Sequence, residues 1–95
     1  MDYKEAVKKR QEINQEILAL IAEDPFIKEH LVEIAKCIKF FPEQRFGQIM
    51  CNYVCPSYRD YNPVLEEKEC LARLFPDNPD PFFEESIETL NRLKK

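Results

Sequence analysis

Glycine is almost missing from this chain: a single residue, Gly47, stands among 95. Phosphate-cradling loops, dinucleotide-binding turns and two-residue hairpins each need glycine where the backbone turns left-handed or a ligand comes close. One glycine excludes all three. Tryptophan is absent, His30 is the only histidine, and the longest apolar run, residues 17–22, is far short of the roughly 20 residues that span a bilayer. The opening residues, Met1-Asp2-Tyr3-Lys4-Glu5, alternate in charge and lack the apolar stretch of a secretory signal. A cytoplasmic setting with no membrane contact is therefore expected. There the four cysteines, Cys37, Cys51, Cys55 and Cys70, are expected as thiols rather than as a disulfide framework. A chain of this length buries only about 60–65% of its unfolded surface, enough for one modest core and one domain over residues 1–95.

The formal charge of −4 is unevenly spread. Residues 1–30 carry seven acids and five bases, residues 31–62 three and four, and residues 63–95 eight and five. The middle is thus weakly basic between two acidic flanks. The only dense basic cluster, Lys8, Lys9 and Arg10, sits beside Glu5 and Glu12, which is not the stripe that neutralises successive phosphates. Direct nucleic-acid binding is not expected.

Prolines organise the rest. Asp24-Pro25, Asn62-Pro63 and Asp80-Pro81 each place a capping side chain before a residue suited to the first helical position, and Pro42 marks a further break. Pro56, Pro76 and Pro79 fall in connectors. Between these marks the apolar spacing predicts five helices, over residues 3–23, 25–40, 43–54, 63–75 and 81–93. The first carries Tyr3, Ala6, Val7, Ile13, Ile17, Leu20 and Ile21 on one stripe. The fourth offers Leu65, Leu71, Ala72, Leu74 and Phe75. In the fifth, Phe82, Phe83, Ile87, Leu90 and Leu93 face inward, with Glu84 and Glu85 in a first turn whose dipole favours negative charge. No segment alternates as a strand does. The expected fold is all-α, a compact bundle of about five helices with no sheet.

Catalytic and metal chemistry finds little footing. Cys51 and Cys55 share a helix face and could recruit Cys37, Cys70 or His30 around a metal, but buried cysteine more often serves as a small hydrophobe. His30 and Cys37 lie about 10 Å apart along a helix, too far for a nucleophile and its base. Ser57 follows a proline in a connector, and Ser86 sits in a glutamate-rich helix start. Glu66 and Glu69 lack the histidine partners of a di-iron site. No enzyme activity and no cofactor are expected.

The most informative segment is Arg45-Phe46-Gly47-Gln48-Ile49-Met50-Cys51-Asn52. Glycine in a helix costs about 1 kcal/mol relative to alanine, so its presence points to a close approach at Gly47. Arg45, Gln48 and Asn52 align beside it as a polar row. That row serves either as a lock, with Arg45 meeting Glu84 or Glu85, or as a recognition patch; the lock is the favoured reading.

Arg45-Phe46-Gly47-Gln48 with Asn52, together with Asp80-Pro81-Phe82-Phe83-Glu84-Glu85-Ser86, resembles a family of short bacterial and phage-encoded proteins of unassigned activity. These carry an Arg-aromatic/Leu-Gly-Gln…Asn helix and a downstream Asp-x-Phe-aromatic acidic segment. The resemblance covers residues 45–90 and implies that Gly47, Gln48 and Asn52 cooperate with Phe82 and Phe83. It also implies carriage by a phage or mobile element. The leading expectation for function is a non-enzymatic module that binds another protein or a second copy of itself. Six of the eleven aromatics, Phe40, Phe41, Phe46, Tyr53, Tyr58 and Tyr61, crowd into residues 31–62, as contact surfaces favour. The alternatives are an acidic phage-type inhibitor of a nucleic-acid-binding enzyme, using Glu66, Glu67 and Glu69 as a decoy, and a cysteine metal-binding domain.

Overall fold

A computed structural model describes residues 2–60, 62–78 and 80–95. Met1 of the charged opening, Tyr61 of the aromatic middle and Pro79 of the connectors lie outside the described residues. Among the described residues six α-helices are formed: α1 (Tyr3–Ile21), α2 (Pro25–Glu29), α3 (Leu31–Phe40), α4 (Phe46–Ile49), α5 (Leu65–Leu74) and α6 (Ser86–Leu93). A π-helix, Met50–Val54, continues α4, and 3-10 turns occupy Pro56–Arg59 and Pro81–Phe83. Among the described residues there is no strand, so the expected all-α globule is the observed one. Its radius of gyration, 12.6 Å, is about that of a compact chain of this length.

Helix α1 begins where Asp2 accepts the Glu5 N–H at 2.9 Å, and it buries Asn14, Ile17, Leu18 and Ile21. That i, i+3, i+4, i+7 face is rotated from the expected stripe, so Leu18 is in the core while Leu20 and Tyr3 face solvent. Asp24 caps α2 as its sequence predicts, accepting from the N–H groups of Phe26 and Ile27 with Pro25 in the first turn. The same carboxylate receives Arg73 of α5 through two hydrogen bonds, 2.9 and 3.0 Å, which ties α2 to α5.

The expected helix over residues 25–40 is two helices. His30 leaves helical geometry (φ −112°, ψ 12°), donating its N–H to the Ile27 carbonyl and accepting the Ile34 N–H. Its ring lies 4.7 Å from that of Phe26, and Nδ1 is 3.4 Å from Glu33. No proline or glycine marks this break.

The later helices start later than expected. Arg45 is extended and precedes α4; Val64, rather than Asn62, precedes α5 and leaves Leu65 exposed. Asp80-Pro81 opens only a single 3-10 turn. Glu84 and Glu85 are extended, outside a helical first turn, and α6 starts at Ser86. Phe83 and Ile87, expected inside, are exposed.

The core gathers Ile17, Ile27, Ile34, Ile38, Phe46, Ile49 and Met50, all essentially inaccessible. Around it α1 packs on α3 and α6, α2 on α5, and α4 on the Pro81–Phe83 turn. No described helix is long and apolar enough to cross a membrane.

Candidate functional site

The segment Phe46–Val54 and the segment Asn78–Ser86, far apart in sequence, meet at Gly47. A Cβ built on Gly47 would lie 1.9 Å from the Pro81 carbonyl oxygen and 2.8 Å from its carbon. The expected close approach is therefore present, and its cause is space: Gly47 does not have a positive φ. Backbone rests on backbone, and the Pro81 carbonyl also accepts the Glu84 N–H at 3.2 Å.

The start of α4 is stitched by residues from both ends of the chain. The Phe46 N–H, an orphan donor of the first helical turn, is accepted by Ser86 Oγ at 3.0 Å. Ser86 donates in turn to Asn14 Oδ1 at 2.6 Å, and Asn14 Nδ2 donates to the Gln44 carbonyl at 2.9 Å. Asn14 is fully buried and Ser86 nearly so, so each bond removes a desolvation cost. Sequence reasoning passed over this pair. The available signal was an asparagine on the same face as Ile17, Leu18 and Ile21.

The expected polar row Arg45, Gln48, Asn52 does not act as one row. Gln48 Oε1 accepts the Arg45 N–H at 2.7 Å, half of a capping box that arginine, having no acceptor, cannot complete. The Arg45 guanidinium lies 3.6 Å from Glu85, which also faces Arg10 at 3.6 Å. Asn52 falls in the wider π-helix, closed by the Cys55 N–H on the Met50 carbonyl. It accepts instead from Arg59 at 2.9 Å. Arg59 stacks 5.0 Å above the ring of Phe82, which meets Phe83 edge-to-face at 5.1 Å.

The Pro81–Phe83 turn is held on its other side by Glu84. This carboxylate is buried, with its side chain 5% exposed. Burial pushes its pKa up, but hydrogen bonds from Arg92, Thr89 and Asn78 outweigh that and hold it below the ordinary value. Arg92 also donates to the Leu74 carbonyl at 2.6 Å and lies over Phe75. The consequence is a turn fixed on both flanks, from which Phe83 projects with 67% of its surface exposed. A shallow concavity of about 440 Å³ lies next to it, lined by Tyr58, Leu71, Phe75 and Pro81 among others.

The cysteines are all free and buried. Burial raises the Cys37 thiol, with Glu33 adding to it. Cys51 is pushed up to about 11 by burial and by Asp80, against a lowering from Arg59. Cys55 is raised further, chiefly by its hydrogen bond to Cys70 and then by burial. The same contact with Cys55 lowers Cys70, against the opposing effect of its burial. The raised thiols of Cys37, Cys51 and Cys55 are poor nucleophiles. Among the described residues no group of three or more histidine, cysteine, aspartate or glutamate side chains could hold a metal ion. The hydroxyls of Ser57 and Ser86 are engaged as acceptors of the Val64 and Phe46 N–H groups. Of the acidic surface, Glu67 accepts the Ser57 N–H, while Glu84 and Glu85 are ion-paired within the chain. No family model matches this chain, and no curated protein and no solved structure does so.

Proposed function

We propose that this chain is a non-enzymatic protein-interaction module whose contact point is the Phe82–Phe83 turn. The observation that carries the reading is the 67% exposure of Phe83 on a turn whose neighbours leave it little freedom. An exposed aromatic on a mobile loop loses much of its contact energy to ordering; one already fixed in place does not. Aromatic anchors set in pockets dominate binding energy at interfaces. Here Gly47 and Glu84 position the anchor, and Arg59 and Asn52 fix the ring beneath it. The partner in this reading is another protein offering an apolar pocket, and no cofactor is involved.

The test is affinity capture from the host cell with the wild-type chain and with Phe83→Ser, followed by titration of each captured protein against both purified forms. A partner whose affinity falls about tenfold or more with Phe83→Ser supports the reading. Capture that is the same for both forms excludes the turn as the contact point.

A further inference from the structure

Cysteines from two separate elements meet where the chain leaves the π-helix and runs along α5. Cys55 closes the π-helix, with its N–H on the Met50 carbonyl, and the Pro56–Arg59 turn follows at once. Two hydrogen bonds lay that turn on α5: Ser57 donates its N–H to Glu67 at 3.2 Å and accepts the Val64 N–H on Oγ at 2.9 Å. Cys70 is one helical turn beyond Glu67, on the same face. Cys55 meets it there: both residues are completely inaccessible, and the two thiols share a hydrogen bond. Cys51, one turn back in the π-helix, is near Cys55 as well and is the competing partner.

The two thiols are not equivalent. Cys55 keeps its proton and donates it to the Cys70 sulfur, while Cys70, as the acceptor, gives up its own proton more readily than an ordinary thiol despite burial and the nearby Asp24. The thiolate is the nucleophile in sulfur chemistry, so Cys70 is the attacking sulfur and Cys55 stands ready beside it. A disulfide asks for Cβ atoms about 3.5–4.5 Å apart, and thiols already in contact need only a small approach. Access selects the oxidant. Neither sulfur touches water, which shuts out bulky reagents, but the Pro56–Arg59 turn beside them buries none of its own residues. Segments of that kind open locally at low cost, wide enough for hydrogen peroxide, a molecule little larger than water.

We propose that Cys55 and Cys70 are a peroxide-oxidised disulfide site, with Cys70 attacking and Cys55 resolving. The Cys70 thiolate bonds to one peroxide oxygen and the O–O bond breaks; the departing hydroxide takes up the proton that Cys70 released, which leaves a sulfenic acid and one water. The Cys55 sulfur then attacks the Cys70 sulfur and the S–O bond breaks, hydroxide leaving with the Cys55 proton as a second water. Each sulfur gives up one electron, and peroxide is reduced to two waters. The product ties the end of the π-helix to α5 and closes a loop over residues 55–70.

The test treats the reduced full chain with hydrogen peroxide under native conditions, alkylates the remaining thiols in denaturant and maps the products by mass spectrometry. The expected product has lost two hydrogens, is alkylated at Cys37 and Cys51, and yields one cross-linked peptide joining Cys55 to Cys70; dithiothreitol reverses it. The Cys37→Ser/Cys51→Ser chain should form the same link. Cys55→Ser should stop at a sulfenic acid on Cys70, captured by dimedone, and Cys70→Ala should leave Cys55 a thiol. Peroxide applied to the urea-unfolded chain should scatter the pairings, because the fold and not the sequence spacing selects the pair. Three results overturn the proposal: a main link between other cysteines, four thiols untouched where the unfolded chain is oxidised, or the same single link in the unfolded chain. The wild-type map needs no substitution, so a variant that fails to fold does not blur the result.

Discussion

Two parts of this molecule are held together by different means. The α1–α3 scaffold rests on aliphatic side chains, with Ile17, Leu18, Ile21, Ile34 and Ile38 interdigitating across an antiparallel pair. The junction between residues 44–54 and 78–86 rests on backbone laid against backbone at Gly47 and Pro81, and on buried polar groups. Apolar packing tolerates small changes in shape, because neighbouring side chains relax into a gap or around an added methyl group. A carbonyl seated on a glycine cannot do so, and a buried hydrogen-bond chain fails when one member is removed. The scaffold is the tolerant region and the junction the brittle one.

The largest effect expected from that contrast is at Gly47. Gly47→Ala puts a carbon 1.9 Å from the Pro81 oxygen. The loss should be about 4 kcal/mol or more, although alanine would favour the helix by about 1 kcal/mol. Gly47→Leu should leave no folded population. Urea unfolding followed by circular dichroism measures both, and an alanine variant as stable as wild type would break the comparison at its centre. For scale, Ile34→Val in the scaffold should cost about 0.5–1.5 kcal/mol.

Next come the buried polar groups. Asn14→Ala leaves the Ser86 hydroxyl and the Gln44 carbonyl without partners and opens a small void. It should cost about 2–4 kcal/mol, of the same order as Ile17→Ala one turn away despite the smaller apolar loss. If Asn14→Ala were nearly neutral, the polar chain would be incidental and the two regions would not differ in kind.

Glu84 supplies a pH signature. Its folded pKa lies below the ordinary 4.5, so it contributes stability that is present above 4.5 and is lost as the pH falls through the folded value. Glu84→Gln should therefore cost about 2–3 kcal/mol at neutral pH, and the gap between variant and wild type should close in acid. Urea midpoints at about pH 7 and about pH 3 provide the check. A gap that stays constant across that range would mean that the Arg92, Thr89 and Asn78 contacts do not favour the charged form.

Legibility followed the same division. Helical periodicity and Asp24-Pro25 announce α1 and α2, because repeated apolar spacing and a capping side chain are local properties. The rotation of the α1 face toward Leu18 and away from Leu20 depends on α3 and α6, which no local pattern encodes. Gly47 was legible as a close approach because glycine is otherwise unused. The Arg45–Glu85 pair was legible as charge, at 3.6 Å. Asn52 was misplaced because its alignment with Gln48 assumes 3.6 residues per turn and the chain there takes a π-helix. Ser86 looked like a failed nucleophile because its partners, Phe46 and Asn14, are 40 and 72 residues away. Glu84 looked like a residue favoured by a helix dipole. It is instead buried against Arg92 ahead of α6.

The smallest effect is expected at Phe83, and its smallness is informative. The ring is 67% exposed and touches the edge of Phe82, so Phe83→Ser removes little buried area and should change stability by no more than about 0.5 kcal/mol. Phe46, fully buried in the adjoining helix, should by contrast cost about 3–5 kcal/mol as Phe46→Ala. Chemical unfolding of the two variants side by side separates an aromatic that builds the junction from one that the junction merely holds out. If Phe83→Ser cost as much as a core aromatic, Phe83 would be part of the packing and its exposure would signify nothing for binding. A near-neutral cost together with a lost partner would show that the brittle construction beneath it, glycine on carbonyl and carboxylate on guanidinium, exists to hold that ring in one position.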